Sequence, residues 1–245
     1  MYDILKNLKE ITISSILEKY TTDSRKLGNK SISTIKAYHR ELEKFIEFLE
    51  NKNIKATMNN FNRENILEYL VHNKNKAVNS KNRFLTIVKN FSGYCVNIEN
   101  IDVDNKIMFI PHIKQKKTIK HILTTQQIEN LRSYVYQNED IREQVIVELF
   151  LRTGIRLNEG INLKWNDIDF PNDKIYIIEG KSGDREIPLH PKLKNILDTY
   201  REERNVNSEY IITGQKQKTK MSKSGLSYLI NSLVEKAGLP SYVTP

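Results

Sequence analysis

The chain has 245 residues, with 39 Lys+Arg against 30 Asp+Glu and a formal net charge of +9. That length suffices for one or two domains that bury a core, and no apolar run reaches the roughly 20 residues that a membrane-spanning helix needs. Cys95 is the only cysteine, which excludes an intrachain disulfide and a thiolate metal cage. The N-terminal residues MYDILKNLKE lack the apolar core of a secretory signal, so a cytoplasmic location is expected.

The positive charge is concentrated in the first half of the chain. Residues 1–120 hold 22 Lys+Arg and 13 Asp+Glu, whereas the second half holds 17 of each. Two intervals without any acid run from Glu68 to Glu99 and from Asp104 to Glu129. An uncancelled positive potential suits a polyanionic partner such as double-stranded DNA, and suits a membrane less well. From the charge alone, a basic and well-solvated surface remains the alternative, and only the motifs described below favour DNA over it. The cations of the two intervals are Lys74, Lys76, Lys81, Arg83 and Lys89, and Lys106, Lys114, Lys116, Lys117 and Lys120.

Apolar side chains spaced three and four residues apart predict helices in the first half at about 12–24, 34–50, 62–73 and 79–97. Ser33 is the expected N-cap of the second helix, and Lys36 and Arg40 fall off its apolar stripe. The segment that follows the fourth helix, 98–121, has no sustained period and contains Pro111 and the basic run KQKKTIKH. These features predict a linker.

The first turn of the fourth predicted helix presents Ser80, Lys81 and Arg83 next to Asn79. Free backbone N–H groups at a helix N-terminus, together with two cations, suit a phosphate group. A capped surface helix accounts for the same residues equally well.

The second half mixes helical patterns with short β-like runs. Thr124 is the expected cap of a helix over IENLRSYVYQ, and further helices are predicted at about 141–152, 157–163, 191–205 and 222–237. The runs KWNDIDF, DKIYIIEG and REIPLH are separated by turns. The predicted fold is therefore α+β and mainly helical. Its predicted parts are an all-helical domain at 1–105, a basic linker at 106–121, and a mixed domain with a small antiparallel sheet at 122–245.

One stretch in the second half, LFLRTGIRLNEGINLKWNDIDFPNDKIYIIEGKSGDREIPL, combines residues that suit phosphate chemistry. Arg156 follows a helix break, Glu159 comes three residues later on one turn, and Lys181 lies at a predicted hairpin tip. An arginine grips a phosphate through two N–H groups, and a lysine acts as a cation or a proton donor. Taken singly, these residues are better explained as an ordinary turn arginine and a lysine exposed to water.

Two sequence boxes in this stretch resemble those of the tyrosine recombinase, or phage integrase, family. The first box of that family reads T-G-x-R-x-x-E-x-x-x-L-x-W-x-D-I/V, and the second reads G-K-x-x-x-R-x-I/V-P-L. The segments SISTIKAYHRELEKFIEFL and NSKNRFLTIVKNFSGY also look like helices of the family's core-binding (SAM-like) domain. The matching residues are Thr153, Gly154, Arg156, Glu159, Leu163, Trp165, Asp167 and Ile168, then Gly180, Lys181, Arg185, Ile187, Pro188 and Leu189.

This resemblance implies site-specific DNA recombination by a phosphoryl transfer that needs no metal, nucleotide or other cofactor. Arg156 is the implied catalytic residue that stabilises the non-bridging oxygens, Lys181 is the implied general acid, and Glu159 holds the arginine. The predicted partner is double-stranded DNA, with self-association or a full-length relative on paired DNA sites. The predicted DNA-binding residues are Lys36, Arg40, Ser80, Lys81, Arg83, Lys116, Lys117 and Arg185.

The family pattern continues with an H-x-x-R box and a nucleophilic tyrosine, which are not found before Pro245. We expect Tyr242 to pack in a loop, and His121 and His190 to be surface or hairpin residues. The sequence therefore predicts a recombinase that is catalytically incomplete as given and monomeric off DNA. The alternatives are a non-catalytic DNA-binding remnant that competes with a full-length recombinase, and an unrelated helical nucleic-acid-binding protein.

Overall fold

A computed structural model describes residues 10–28, 30–115, 122–178, 183–204, 208–214 and 219–240. The chain divides into two units, Met1–Thr118 and Ile119–Pro245, and each unit is described by itself. Within these described ranges, no helix is long and apolar enough to cross a membrane.

The described residues of the first unit form four α-helices, each within about two residues of its predicted bounds. Ser31, rather than the predicted Ser33, caps the second helix, because the Ser31 hydroxyl accepts a hydrogen bond from the Thr34 N–H. The helices are α1 (Ile13–Lys26), α2 (Ile32–Asn51), α3 (Arg63–His72) and α4 (Val78–Asn97), with short 3-10 helices at Met58–Asn60 and Asn105–Phe109.

Aromatic side chains form the centre of this unit's core. Phe45, Phe61 and Phe91 are fully buried. The ring of Phe61 meets Phe45 edge-to-face at 6.1 Å and Phe91 edge-to-face at 5.3 Å. Such edge-to-face contacts are the favoured arrangement of buried rings and add to the stabilisation from their buried area. The apolar stripes that predict the helices therefore converge on one aromatic core.

The segment after α4 is not a free linker, which corrects part of the prediction for 98–121. Ile101, Val103, Ile107 and Ile110 are buried and pack in the core of the first unit. They lie on extended chain and one 3-10 turn, so their spacing follows no helical or strand period. Analysis by periodicity misses such residues because it detects only regular elements.

The second unit combines five α-helices with a small sheet among its described residues. Thr124 caps the first of these helices in a full capping box with Gln127. The helices are α5 (Thr125–Asn138), α6 (Ile141–Thr153), α7 (Leu157–Asn162), α8 (Pro191–Glu203) and α9 (Lys223–Lys236), and the strands are β1 (Ile168–Asp169), β2 (Lys174–Ile177) and β3 (Arg185–Pro188).

The sheet is antiparallel, in the order β1-β2-β3. Ile175 on the central strand pairs with Ile168 on one side and Ile187 on the other. Ile175 and Ile177 are buried, whereas Lys174 and Tyr176 are exposed, as expected for a sheet with one face on the core. The predicted fold class, mainly helical α+β with a small antiparallel sheet, is confirmed.

Candidate functional site

A tight turn between α6 and α7 positions Arg156. Helix α6 ends at Gly154, whose φ of 59° is left-handed, a conformation that glycine adopts without steric cost. The chain then turns, and Arg156 lies in extended conformation as the N-cap of α7. The Thr-Gly pair of the sequence box thus ends α6 and sets the direction in which α7 begins.

Glu159 binds two arginines at this turn. Its Oε2 accepts a hydrogen bond from the backbone N–H of Arg156 at 2.8 Å, and its Oε1 accepts one from Arg156 Nη1 at 3.0 Å. Arg185 on β3 donates from Nη1 to Oε1 at 3.1 Å and from Nη2 to Oε2 at 2.7 Å. Two arginines that are 29 residues apart in the sequence are therefore fixed on one carboxylate, and we call these three residues the Glu159 cluster.

At neutral pH all three side chains of the Glu159 cluster are ionised, and its exposed positive charge lies on Arg156. Hydrogen bonds from Arg185, followed by those from Arg156, lower the pKa of Glu159 to about 2. The Glu159 side chain is 7% exposed, whereas that of Arg156 is 50% exposed. One buried negative charge thus faces two guanidinium groups, and the cluster carries a net positive charge whose accessible part is Arg156.

Gly160 fixes how closely α7 approaches α6. A Cβ built on Gly160 would lie 2.6 Å from Cζ of Phe150, a distance that no real contact allows. The buried face of α7 therefore packs directly against the Phe150 ring, which sets the position of Glu159 one residue earlier. The first sequence box leaves the position of Gly160 unspecified, so only the packing against Phe150 identifies it.

Arg185, a predicted DNA contact, belongs to this cluster. Its guanidinium makes two hydrogen bonds to Glu159 and is 32% exposed, and its contact with DNA stays a prediction. Within the cluster Arg185 holds the Glu159 carboxylate in place.

Three other predicted site residues, Lys181, Lys116 and Lys117, lie outside the described residues.

A second carboxylate–arginine group, which sequence reasoning missed, lies on α5 and α6. The Glu148 side chain is 2% exposed and accepts hydrogen bonds from Arg132 Nε at 2.8 Å and from Arg152 Nε. Arg152 Nη1 also lies 3.1 Å from Nε2 of His190, whose Nδ1 accepts the N–H of Lys192 at the start of α8. His190 is thus a helix cap, and only the tertiary packing brings this group together.

The predicted DNA contacts of the first unit are accessible. Lys36 and Arg40 lie exposed four residues apart on α2. At the start of α4, Ser80 and Arg83 are exposed, and Nζ of Lys81 donates to the Lys74 carbonyl. The N-cap of α4 is Ala77, whose side chain makes no capping bond. The predicted phosphate contact at this helix start stays a prediction. No group of three or more metal-ligating side chains occurs among the residues described in this structure.

Comparison with known proteins matches this chain to one family. The model of the phage integrase family matches residues 121–245. The tyrosine recombinase XerC of Staphylococcus aureus (strain JH9) is 25% identical over 240 residues, which cover 95% of this chain and 80% of that protein.

Solved structures share the fold at low sequence identity. A lambda integrase tetramer bound to a Holliday junction has a TM-score of 0.72 at 18% identity, over 94% of this chain and 67% of that one. The Tn1549 transposon integrase in complex with circular intermediate DNA has a TM-score of 0.72 at 18% identity, over 96% and 83%. At this identity the likeness concerns the fold.

Proposed function

Since this chain belongs to the phage integrase family of tyrosine recombinases, whose function is site-specific DNA recombination, we propose that it binds double-stranded DNA and holds a DNA phosphate at Arg156. The observation that carries the proposal is the Glu159 cluster. Its carboxylate is ionised and buried, and its hydrogen bonds hold a half-exposed guanidinium in a fixed direction.

Arg156 is suited to stabilise charge that develops on a phosphate. A guanidinium offers several N–H groups in a plane, and two of them match the non-bridging oxygens of a phosphodiester. Because Glu159 fixes its orientation beforehand, little reorganisation is needed when negative charge builds up on those oxygens. In this proposal Arg156 touches the substrate, and Glu159 and Arg185 act through it.

The proposed chemical step is transfer of a DNA phosphoryl group to a tyrosine. The tyrosine hydroxyl loses its proton to water as its oxygen forms a bond to phosphorus. The bond from phosphorus to the 5′-oxygen breaks, and the 5′-oxygen receives a proton from Lys181 as general acid. The phosphotyrosyl bond conserves the energy of the phosphodiester, so the step needs no nucleotide. We assign no tyrosine of residues 1–245 to this role.

The basic surface of the first unit supports the DNA partner in this proposal. Lys36 and Arg40 on α2 and Arg83 on α4 are exposed cations, and their exposure supports the proposal that they contact phosphates. Lys116 and Lys117 are further proposed contacts. The solved relatives named above are bound to DNA, and one of them is a tetramer. We therefore propose self-association on paired DNA sites as well, and a cytoplasmic place of action.

Binding to duplex DNA at increasing salt tests this proposal. We expect the logarithm of the association constant to fall with the logarithm of salt concentration, by a slope of about −0.9 for each phosphate contacted. Arg156→Ala should reduce that slope by about one contact. The control is Lys236→Ala, which removes a charge that Glu139 already neutralises at 3.1 Å and should leave binding unchanged. A flat salt dependence of the unaltered chain would overturn the proposal.

A further inference from the structure

The side chain of Asn82, in the second turn of α4, holds a distant segment of the first unit. Its Oδ1 accepts a hydrogen bond from the Ile113 N–H at 2.7 Å, and its Nδ2 donates to the Ile113 carbonyl at 2.9 Å. One side-chain amide thus satisfies both polar backbone groups of one residue, the same exchange that two residues make in an antiparallel sheet. We call this pair of hydrogen bonds the Asn82 clasp.

Neighbouring contacts hold the same segment against the first unit. The Thr86 hydroxyl, one turn further along α4, donates to the Asn82 carbonyl at 3.0 Å. Because a hydroxyl has one hydrogen, its 3.2 Å contact with His112 Nε2 requires that the imidazole donates. Ile110 is buried in the core two residues earlier. The segment 110–114 is therefore anchored at Ile110, His112 and Ile113.

The Asn82 clasp joins the two acid-free intervals of the sequence. Lys81 and Arg83 flank Asn82 in the first interval, and Lys114 follows Ile113 in the second. These cations are about thirty residues apart in the chain, yet the clasp brings their backbones to one place on the surface. Since neither interval contains an acid, no carboxylate within them cancels the combined charge.

We infer that Asn82 is a positioning residue that seats segment 110–114 on α4, so that the two acid-free intervals form one basic surface for the phosphates of duplex DNA. The inference rests on the proposed function, and it adds a specific device that assembles the DNA-binding surface. Asn82 acts through Lys114, which contacts the phosphate.

The test compares Asn82→Ala with Asn90→Ala in the full 245-residue chain. Asn90 is the matched control because it is exposed on the same helix and its amide donates within that helix, to the Thr86 carbonyl at 2.8 Å. We expect Asn82→Ala to weaken binding to duplex DNA about 3- to 10-fold and to reduce the salt slope by about one contact. Asn90→Ala should leave both unchanged, and equal behaviour of the two variants would overturn the inference.

A double-mutant cycle with Lys114→Ala tests whether Asn82 acts through that lysine. If it does, the double variant binds DNA no more weakly than Lys114→Ala alone, because the contact that Asn82 positions is already gone. Independent, additive losses would overturn this part of the inference.

Amide hydrogen exchange tests the clasp without DNA. The Ile113 N–H should exchange slowly in the unaltered chain and in Asn90→Ala, and rapidly in Asn82→Ala, with helix content unchanged. Rapid exchange in the unaltered chain would overturn the clasp whatever the DNA result. Failure of the unaltered chain to bind DNA would instead overturn the proposed function, and normal salt-dependent binding with identical variants would overturn only this inference.

Discussion

At the scale of single residues, Glu159 has the largest effect on the site. It accepts four hydrogen bonds from two arginines while its side chain is 7% exposed. Removing one partner from such a buried ionic group costs more than the attraction it supplies, because the remaining charges lose their compensation. The sequence box indicates Glu159 as a support for Arg156, and the structure adds Arg185 as the second arginine on the same carboxylate.

Glu159→Gln should destabilise the second unit by about 3 kcal/mol, since a neutral amide with one oxygen replaces an ionised group that accepts four bonds. Urea unfolding measures the change in the free energy of unfolding. The matched control is Glu186→Gln, which disrupts the exposed pair with Lys174 and should cost less than about 1 kcal/mol. Equal losses in both variants would contradict the role of Glu159.

Two carboxylates of the second unit, Glu159 and Glu143, make the stability of the fold depend on pH in opposite directions. The lowered pKa of Glu159, about 2, gives stability that is present above about pH 4.5 and is lost as pH falls toward 2. Burial, followed by a hydrogen bond with Asp140, raises the pKa of Glu143 to about 7. The folded protein therefore binds a proton at Glu143 more tightly than the unfolded chain does. The stability that protonated Glu143 gives below about pH 4.5 is lost as pH rises toward 7.

Glu143→Gln tests the second of these effects. The variant resembles the protonated side chain at every pH, so the unaltered chain should lose stability relative to it between pH 5 and pH 8. Thermal unfolding of both chains across that range measures the difference. A constant difference in melting temperature between the two chains would show that Glu143 does not titrate there.

At the scale of elements, the junction of α6, α7 and the sheet determines the geometry of the site. Gly154 ends α6 in a left-handed conformation, Gly160 lets α7 lie on Phe150, and β3 brings Arg185 to Glu159. Each contact depends on a neighbouring element, and the cluster forms only when all of them are in place. The geometry of the Glu159 cluster therefore depends on how α6, α7 and β3 pack together.

Gly160→Ala should destabilise the second unit by about 1–3 kcal/mol, because its Cβ would overlap the Phe150 ring and push α7 away from α6. It should also weaken DNA binding, through displacement of Arg156. Gly93→Ala in α4 is the control, since its Cβ meets only the Asn97 amide at 4.0 Å. Alanine there should stabilise the helix by about 0.5–1 kcal/mol. Stability changes of the same sign in unfolding measurements would argue against the overlap.

At the scale of the whole molecule, the charge divides unequally along the chain, and the net excess lies in 1–120. The predictions of the fold class and of the tyrosine recombinase family are confirmed. The family boxes lie in the second half, whereas the excess charge lies in the first. DNA affinity is therefore expected to depend mainly on the first unit, and chemistry on the second.

Removing Lys36 and Arg40 together should weaken DNA binding about 10-fold or more at moderate salt and reduce the salt slope by about two contacts. The control removes Lys19 and Lys52, two cations of the same unit that pair closely with Glu99 and Glu68. Both double variants lose the same formal charge, so a difference between them measures contact with DNA rather than net charge. Equal salt slopes for the two would contradict a specific surface on α2.

The sequence by itself determined the helices, the fold class, the family and the uneven charge. These properties depend on residues that are near one another in the chain, through apolar spacing, turn residues and two motifs of fixed length. The hydrogen bonds that hold Glu159 to its two arginines and Asn82 to Ile113 arise only in the tertiary structure.

Arg185 meets Glu159 across 26 residues and Asn82 meets Ile113 across 31. The burial of Ile107 in a predicted linker likewise follows no local period. The residues next to an arginine or asparagine in the sequence do not show whether its side chain contacts DNA, water or a carboxylate. Its partner is selected by the packing of elements distant in sequence, because burial and the need to satisfy polar groups arise only when those elements meet.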